Sequence, residues 1–200
     1  MYNFLLDLDY TIFFFINGNL SNPFFDWFMP VLDKPGPYLL PFILLWIYLI
    51  FKTKTRKLFI LLLVPLTILC VDQTGLAVKK LELRARPWVG QETGTVNHLG
   101  GSGGKHKSFP SNHAANAAAL AVIFSYLVRK PRCIFWIFAA IVMFSRIYIG
   151  VHYPADIIAG GLLGLVISKL IIFAFEKIKL LIKKGDNISP FFISVILFNS

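Results

Sequence analysis

Between residues 37 and 175 the sequence is a succession of apolar runs broken by basic clusters or polar connections. In hydrocarbon every backbone N–H and C=O must find its partner inside the protein, so such runs form either helices or the strands of a closed barrel. The runs at 37–51, 58–78, 112–128, 133–150 and 154–175 all exceed the roughly 9–11 residues of a membrane barrel strand. They predict an all-α integral membrane protein, a bundle of five or six transmembrane helices. With 56% hydrophobic residues and a mean hydropathy of +0.69 over 200 residues, one membrane-embedded domain covering 1–200 is expected.

Residues 1–35 are apolar too, but Asp7, Asp9, Asn17-Gly18-Asn19, Asn22-Pro23, Asp26 and Asp33 interrupt them. Phe13, Phe14, Phe15, Phe24, Phe25, Trp27 and Phe28 suit the bilayer interface. This predicts an N-terminal segment of one or two interfacial or half-inserted helices, a short first span being the alternative. No cleavable signal is expected, because the first residues lack a basic stretch and carry Asp7 and Asp9. Cys70 and Cys133 lie in apolar runs and read as small core residues, implying neither a disulfide nor a metal framework.

The formal net charge is +10, and most of it is clustered. Basic groups at 52–57, 129–132 and 177–184 fall on one side of the helical core at 37–175, which the positive-inside rule makes cytoplasmic. Residues 176–200 then form a cytoplasmic basic tail whose apolar stretch from Ile188 is too short to span. The opposite mouth receives Lys79, Lys80, Arg84, Arg86, His113, Arg146, His152 and Asp156 from three separate connections. Cations there run against the topological trend, and an anionic ligand is the simplest reason for them.

Three stretches supply these groups. In 145–156, Pro154 suits a first helical position, and Asp156, at the third, can reach back toward His152. A carboxylate holding one imidazole nitrogen leaves the other as a base or nucleophile. A buried His-Asp pair that only fixes a helix start is the structural alternative. In 110–113, Ser111 is a good cap for a helix whose first N–H groups and dipole favour a phosphate, with His113 in the first turn. In 79–87, a helix would put Lys79 and Arg86 on one face, while Lys80 and Arg84 read as snorkelling cations. Cations, helix-end N–H groups and two histidines are what a metal-free phosphoryl-transfer site requires.

Outside these stretches the sequence is less specific. His98 and His106 read as solvated loop residues, and Gly100-Gly101-Ser102-Gly103-Gly104 as a flexible segment. Lys105 and Lys107 could extend an anion funnel. Asp72 reads as a packed or capped polar group in the outer half of its helix.

Lys-x6-Arg-Pro at 79–87, Pro-Ser-Asn-His at 110–113 and Ser-Arg-x5-His-x3-Asp at 145–156 together resemble the three-part signature of the type-2 phosphatidate phosphatase superfamily. That group includes membrane lipid phosphatases, glucose-6-phosphatase and the vanadium haloperoxidases. The resemblance implies that His152 is a nucleophile forming a phosphohistidine, that Asp156 orients it, and that His113 is the general acid. It assigns Lys79, Arg86, Ser111, Asn112 and Arg146 to the phosphoryl oxygens, with no metal and no cofactor. Asn112 stands where the family has glycine, which makes its phosphate contact the least secure of these.

The implied activity is a lipid phosphatase in the cell (inner) membrane with its site facing the extracytoplasmic side. Its partners would be a phosphorylated lipid and the bilayer, with no nucleic acid and no obligatory protein partner. Lipid A 1-phosphate and undecaprenyl diphosphate are the favoured substrates, ahead of phosphatidylglycerol phosphate and phosphatidate. The alternative is a non-catalytic lipid-phosphate binder or transporter that keeps the anion pocket.

Overall fold

The computed structural model describes residues 2–53, 56–101, 103–128 and 130–184. Lys54, Arg129 and the apolar tail beyond 184, all part of the basic clusters or tail considered above, lie outside the described residues. The chain opens with α1 (Tyr2–Phe14), a π-helical turn (Phe15–Asn19), α2 (Pro23–Phe28) and a 3₁₀ turn (Met29–Asp33). Then come α3 (Pro35–Lys52), α4 (Lys57–Lys79), the single-turn α5 (Pro87–Gly90), α6 (Asn112–Leu127), α7 (Cys133–Tyr148) and α8 (Pro154–Lys184). Among the described residues there is no strand, only an isolated bridge between Arg84 and Lys107.

All five anticipated core helices are present, their ends set by local chemistry. Asn22 caps α2, its Oδ1 accepting from Phe25 N at 3.0 Å, and Ser111 caps α6, accepting from Ala114 N at 3.4 Å. Pro154 opens α8, as expected, and the Asp156 carboxylate reaches back to accept from the Tyr153 N–H at 2.9 Å. By length and hydropathy two helices suffice to cross a membrane, Lys57–Lys79 and Pro154–Leu181, while Leu39–Lys52 and Cys133–Tyr148 are shorter. The outward faces of α4 and α8 expose Leu61, Leu62, Leu66, Leu69, Ile158, Leu162, Val166 and Leu170, the surface a helix presents to lipid tails.

The alanine-rich α6 lies at the centre, packed against α4, α7 and α8. Ala114, Ala115, Ala117, Ala118, Ala119 and Ala121 are all buried, and their small size lets the backbones approach closely. The closest approach is to α8: a Cβ on Gly164 would overlap the Ala115 carbonyl, and one on Gly160 the Ser111 carbonyl. Because the obstacle is backbone, it cannot swing aside. Gly164→Ala is therefore expected to push α8 off α6 and destabilise the bundle by roughly 1–3 kcal/mol, read as a lower melting temperature in detergent.

One end of the bundle gathers the connections that carry the basic clusters. Phe59 of α4 packs on Tyr126 of α6 at 6.1 Å and on Phe175 of α8 at 5.1 Å, and the Tyr126 hydroxyl donates to Glu176. The other end is closed by the N-terminal segment. Its outer face exposes Phe4, Phe24 and Trp27. Its inner face is built into the core: Phe13, Met29 and Leu32 are buried, and so are the polar groups Asp9 and Asn17. The Asn17 amide donates to the carbonyls of Asn97 (2.8 Å) and Tyr148 (2.7 Å), while its oxygen accepts from Asn97 N (2.9 Å). This segment thus forms a wall of the mouth where the three motifs meet.

Candidate active site

The turn between α7 and α8 presents His152. Gly150 makes the turn with φ +76°, and a Cβ there would lie 2.8 Å from the Asn97 carbonyl oxygen, so glycine is required twice over. The Arg146 carbonyl accepts from both Val151 N and His152 N at 3.2 Å. These bonds fix the imidazole in a pocket where it is 3% exposed. Its Nδ1 faces Asp156 Oδ2 at 3.5 Å and Ser108 Oγ at 3.4 Å, and its Nε2 faces Arg86 Nη1 at 3.5 Å. These separations are longer than those of good hydrogen bonds.

Asp156 is fully buried, and its carboxylate is held from several directions. Oδ2 accepts from the Ser108 hydroxyl at 2.6 Å and from the Tyr153 N–H at 2.9 Å; Oδ1 faces Arg84 Nη1 at 3.3 Å. Its carbonyl also accepts from Ser111 N at 3.0 Å, tying the start of α8 to the start of α6. The carboxylate is thus ordered without help from His152.

The 79–87 stretch departs from its expected helix. α4 stops at Lys79, Glu82 takes φ +47°, and the chain turns so that Arg84 pairs with Lys107 in the isolated bridge. Lys79 and Arg86 still converge, by way of this turn rather than a shared helical face. Lys79 Nζ donates to the Lys107 carbonyl at 2.9 Å and lies 3.4 Å from that of Ser108. Arg86 donates from Nη1 to the Val151 carbonyl and from Nε to the Gly104 carbonyl, both at 3.2 Å. The glycine run is folded back over the site: the Arg86 guanidinium lies where a Cβ on Gly103 would sit, and a Cβ on Gly101 would meet Val151 at 2.6 Å. Lys107 sits 3.8 Å from Glu82, and Lys105 is exposed.

Arg84 corrects the sequence reading most. It is not a snorkelling cation but the centre of a partly buried cluster, with Nη2 2.5 Å from Asp9 Oδ2 and its guanidinium 3.8 Å over the Tyr153 ring. Lys80 is exposed, as expected. His98 and His106 are exposed as well, and His98 stacks on Trp88 at 4.3 Å.

Burial sets the charges. It pushes His152 down to about 3, helped by the nearby Arg86 and Lys79 cations and opposed by Asp156, so the imidazole is neutral at pH 7. Burial, offset by Asp156 and Asp33, also leaves the Arg86 guanidinium somewhat less basic than usual. For Arg84 burial acts the same way, but Asp156 and Asp9 outweigh it and strengthen the charge. The folded protein keeps His152 neutral where an unfolded chain would protonate it. The stability this contributes is therefore complete above about pH 6.5 and is lost as pH falls toward 3.

Arg146 enters from the last turn of α7, 1% exposed, with Nη1 2.6 Å from Asp33 Oδ1 and Nε 3.3 Å from Ser145 Oγ. The Asp33 carbonyl lies 3.3 Å from His113 Nε2, so the N-terminal segment touches both residues. The Ser111 hydroxyl is fully buried and serves as the α6 cap. Asn112 turns its side chain toward α4, donating to Asp72 Oδ1 at 3.1 Å, with Asn116 donating to the same oxygen at 3.0 Å. Gly75 makes room for it, since a Cβ there would lie 2.6 Å from Asn112 Oδ1. Asp72 thereby gains the partners that the sequence left undefined. Below His113 and Asn112 a cavity of about 430 Å³ runs between α3, α4, α6 and α7, lined by Phe42, Trp46, Ile68, Leu120 and Phe138.

Ser108, Asp9, Arg84 and Asp33 are the site residues that sequence reasoning missed. An acidic residue inside an apolar helix was the one signal available for Asp9. Ser108 sits in a loop with no periodicity to mark it.

Residues 57–179 match the PAP2 superfamily. A lipid A 4'-phosphatase of Bacteroides thetaiotaomicron is 31% identical over 175 residues, covering 82% of this chain and 75% of the relative. Among solved structures, LpxE of Aquifex aeolicus superposes with TM-score 0.66 at 26% identity, covering 82% of this chain and 94% of that one. The PAP2-type phosphatidylglycerolphosphate phosphatase of Bacillus subtilis superposes with TM-score 0.69 at 25% identity, covering 88% of each. A family match over more than half of the chain and a relative this similar over most of both lengths make the chain a member of the PAP2 superfamily.

Proposed function

We propose that the protein hydrolyses a phosphate monoester or diphosphate of a membrane lipid, through a phosphohistidine on His152, at the extracytoplasmic face of the cell membrane. The observation that carries this reading is the imidazole held between Asp156 and Ser108 on its Nδ1 side and Arg86 on its Nε2 side. Nε2 attacks phosphorus in line; a P–N bond forms as the bond to the lipid oxygen breaks, and His113 gives that oxygen a proton. Water then attacks phosphorus, its proton passes to His113, and the P–N bond breaks to release phosphate and restore His152. Asp156 holds Nδ1–H and stabilises the charge that develops on the ring. Lys79, Arg86 and Arg146 stabilise the equatorial oxygens, with the N-terminus of α6 at Ser111 and Asn112 completing the cradle.

A lipid substrate is supported by the apolar cavity that begins at His113 and Asn112, on the leaving-group side of this scheme. The gathering of basic connections at the far end of the bundle supports an outward-facing site. Lipid A phosphates and undecaprenyl diphosphate remain the favoured substrates, the similarity to a lipid A 4'-phosphatase adding weight to the former.

The test is phosphate release by the purified protein in detergent, with EDTA present, from lipid A, undecaprenyl diphosphate, phosphatidylglycerol phosphate and phosphatidate. Turnover of at least one lipid is expected, unaffected by EDTA and inhibited by vanadate, which mimics the trigonal-bipyramidal phosphoryl group. Insensitivity to millimolar vanadate, or release that requires a divalent metal, would overturn the mechanism.

A further inference from the structure

We infer that Arg84 and Asp9 form a positioning pair for the reaction, through which the N-terminal helix holds the Asp156 carboxylate against His152. The inference rests on the proposed role of the His152–Asp156 dyad. Arg84 extends one guanidinium nitrogen to each of two carboxylates, Nη2 to Asp9 Oδ2 at 2.5 Å and Nη1 to Asp156 Oδ1 at 3.3 Å. Asp9 uses its other oxygen to accept from the Ala155 N–H at 2.8 Å, within the first turn of α8. The two side chains therefore brace the start of α8 at its backbone and at the Asp156 side chain simultaneously.

The setting makes this brace stiff. Asp9 is 7% exposed and Asp156 is fully buried, so each carboxylate needs a nearby cation. Arg84 lies flat over Tyr153 at 3.8 Å and within 5.8 Å of the Tyr10 ring, while Tyr10 and Phe13 of α1 pack on Tyr153 at 5.3 and 5.1 Å. A lysine cannot reproduce the fork or the stacking. The partners of Arg84 are Asp9, Asp156 and the two tyrosines. It therefore acts through Asp156, with Ser108 and Tyr153 N–H holding the opposite carboxylate oxygen. Asp9 lies outside the matched family region 57–179, so the brace joins the N-terminal segment to the shared core.

The test is a double-mutant cycle on kcat in detergent, using Arg84→Gln, Asp9→Asn and the double variant, with Arg84→Lys as the conservative change. Rates are normalised to folded protein by melting temperature and far-UV circular dichroism. The expected result is a kcat lowered about 10- to 100-fold in Arg84→Gln, with KM and vanadate inhibition within about twofold of wild type. Arg84→Lys, which keeps the charge, should recover part of the loss and covers the case in which the glutamine variant fails to fold. The double variant should be slower than Arg84→Gln by a smaller factor than that by which Asp9→Asn alone slows the wild type, because part of the Asp9 effect passes through Arg84 and part through the Ala155 N–H. A raised KM or weakened vanadate inhibition with kcat unchanged would make Arg84 a phosphate ligand and overturn the inference. Losses that multiply in the double variant would do the same, showing two independent packing roles. Wild-type kcat in Arg84→Gln beside an inactive His152→Ala overturns this inference alone, whereas wild-type turnover in His152→Ala overturns the catalytic reading beneath it.

Discussion

His152→Ala should abolish phosphate release, lowering kcat by on the order of 10⁴ or more, since the covalent route disappears with its nucleophile. The substitution removes a ring that is 3% exposed but leaves the pocket framed by Ser108, Asp156, Arg86 and the Val151 carbonyl, whose mutual bonds do not pass through the imidazole. The fold should therefore survive, and the cations should still bind phosphate or vanadate. Rapid quench with a ³²P-labelled lipid should trap an acid-labile, base-stable phosphoprotein in the wild type and none in the variant. Retention of turnover in His152→Ala would overturn the phosphohistidine route, whereas no turnover in the wild type, with lipid-phosphate binding unchanged in His152→Ala, would favour the reading in which the cations merely bind.

The depressed basicity of His152 sharpens this expectation. A ring that stays neutral down to about pH 3 keeps its lone pair at neutral pH, as the proposed attack requires. Burial, with the Arg86 and Lys79 cations beside the ring, outweighs the pull of Asp156 and keeps the imidazole neutral. Once a phosphate dianion neutralises Arg86 and Lys79, that balance moves toward the imidazolium, which is the form a phosphohistidine resembles electronically. In the proposed route the same charges keep the ring neutral before binding and favour its charged adduct afterwards.

How much of this was legible in the sequence varies with the range of the interaction. The helices α3, α4, α6, α7 and α8 could be placed from apolar runs and punctuation because a helix is a local structure. The Pro154–Asp156 cap was equally local: a proline at the first position and a carboxylate at the third leave little choice. The route from Lys79 to Arg86 was misjudged because the two cations look helical by spacing, whereas the chain turns at Glu82 and is held by Lys107 and Ser108. The roles of Arg84, Asp9 and Ser108 were not legible for another reason. Their partners lie far off in the sequence, and only the packing of α1 on α8 and the folding-back of the glycine loop bring them together. Gly103 supplies bare backbone against which Arg86 lies.

Arg146→Lys carries the second large expected effect, a fall in kcat/KM on the order of 10²–10³. Charge is conserved, so any loss reports geometry. The guanidinium is almost wholly buried, anchored at Nη1 by Asp33 and at Nε by Ser145, and such anchoring fixes the plane in which a fork can meet a phosphoryl group. A lysine ammonium is a point charge that would collapse onto the Asp33 carboxylate and leave the phosphate with one monodentate partner at most. Because the Asp33 carbonyl also lies against His113, the shift would disturb the proposed acid as well as the cradle. The expected signature is a raised KM together with a lowered kcat and weaker vanadate inhibition, at a melting temperature close to that of the wild type. That pattern differs from the one expected of Arg84, where binding is spared, so the two arginines can be told apart by kinetics alone. Wild-type kcat/KM in Arg146→Lys would mean that Arg146 serves only to pair with Asp33 and fasten the N-terminal segment to α7.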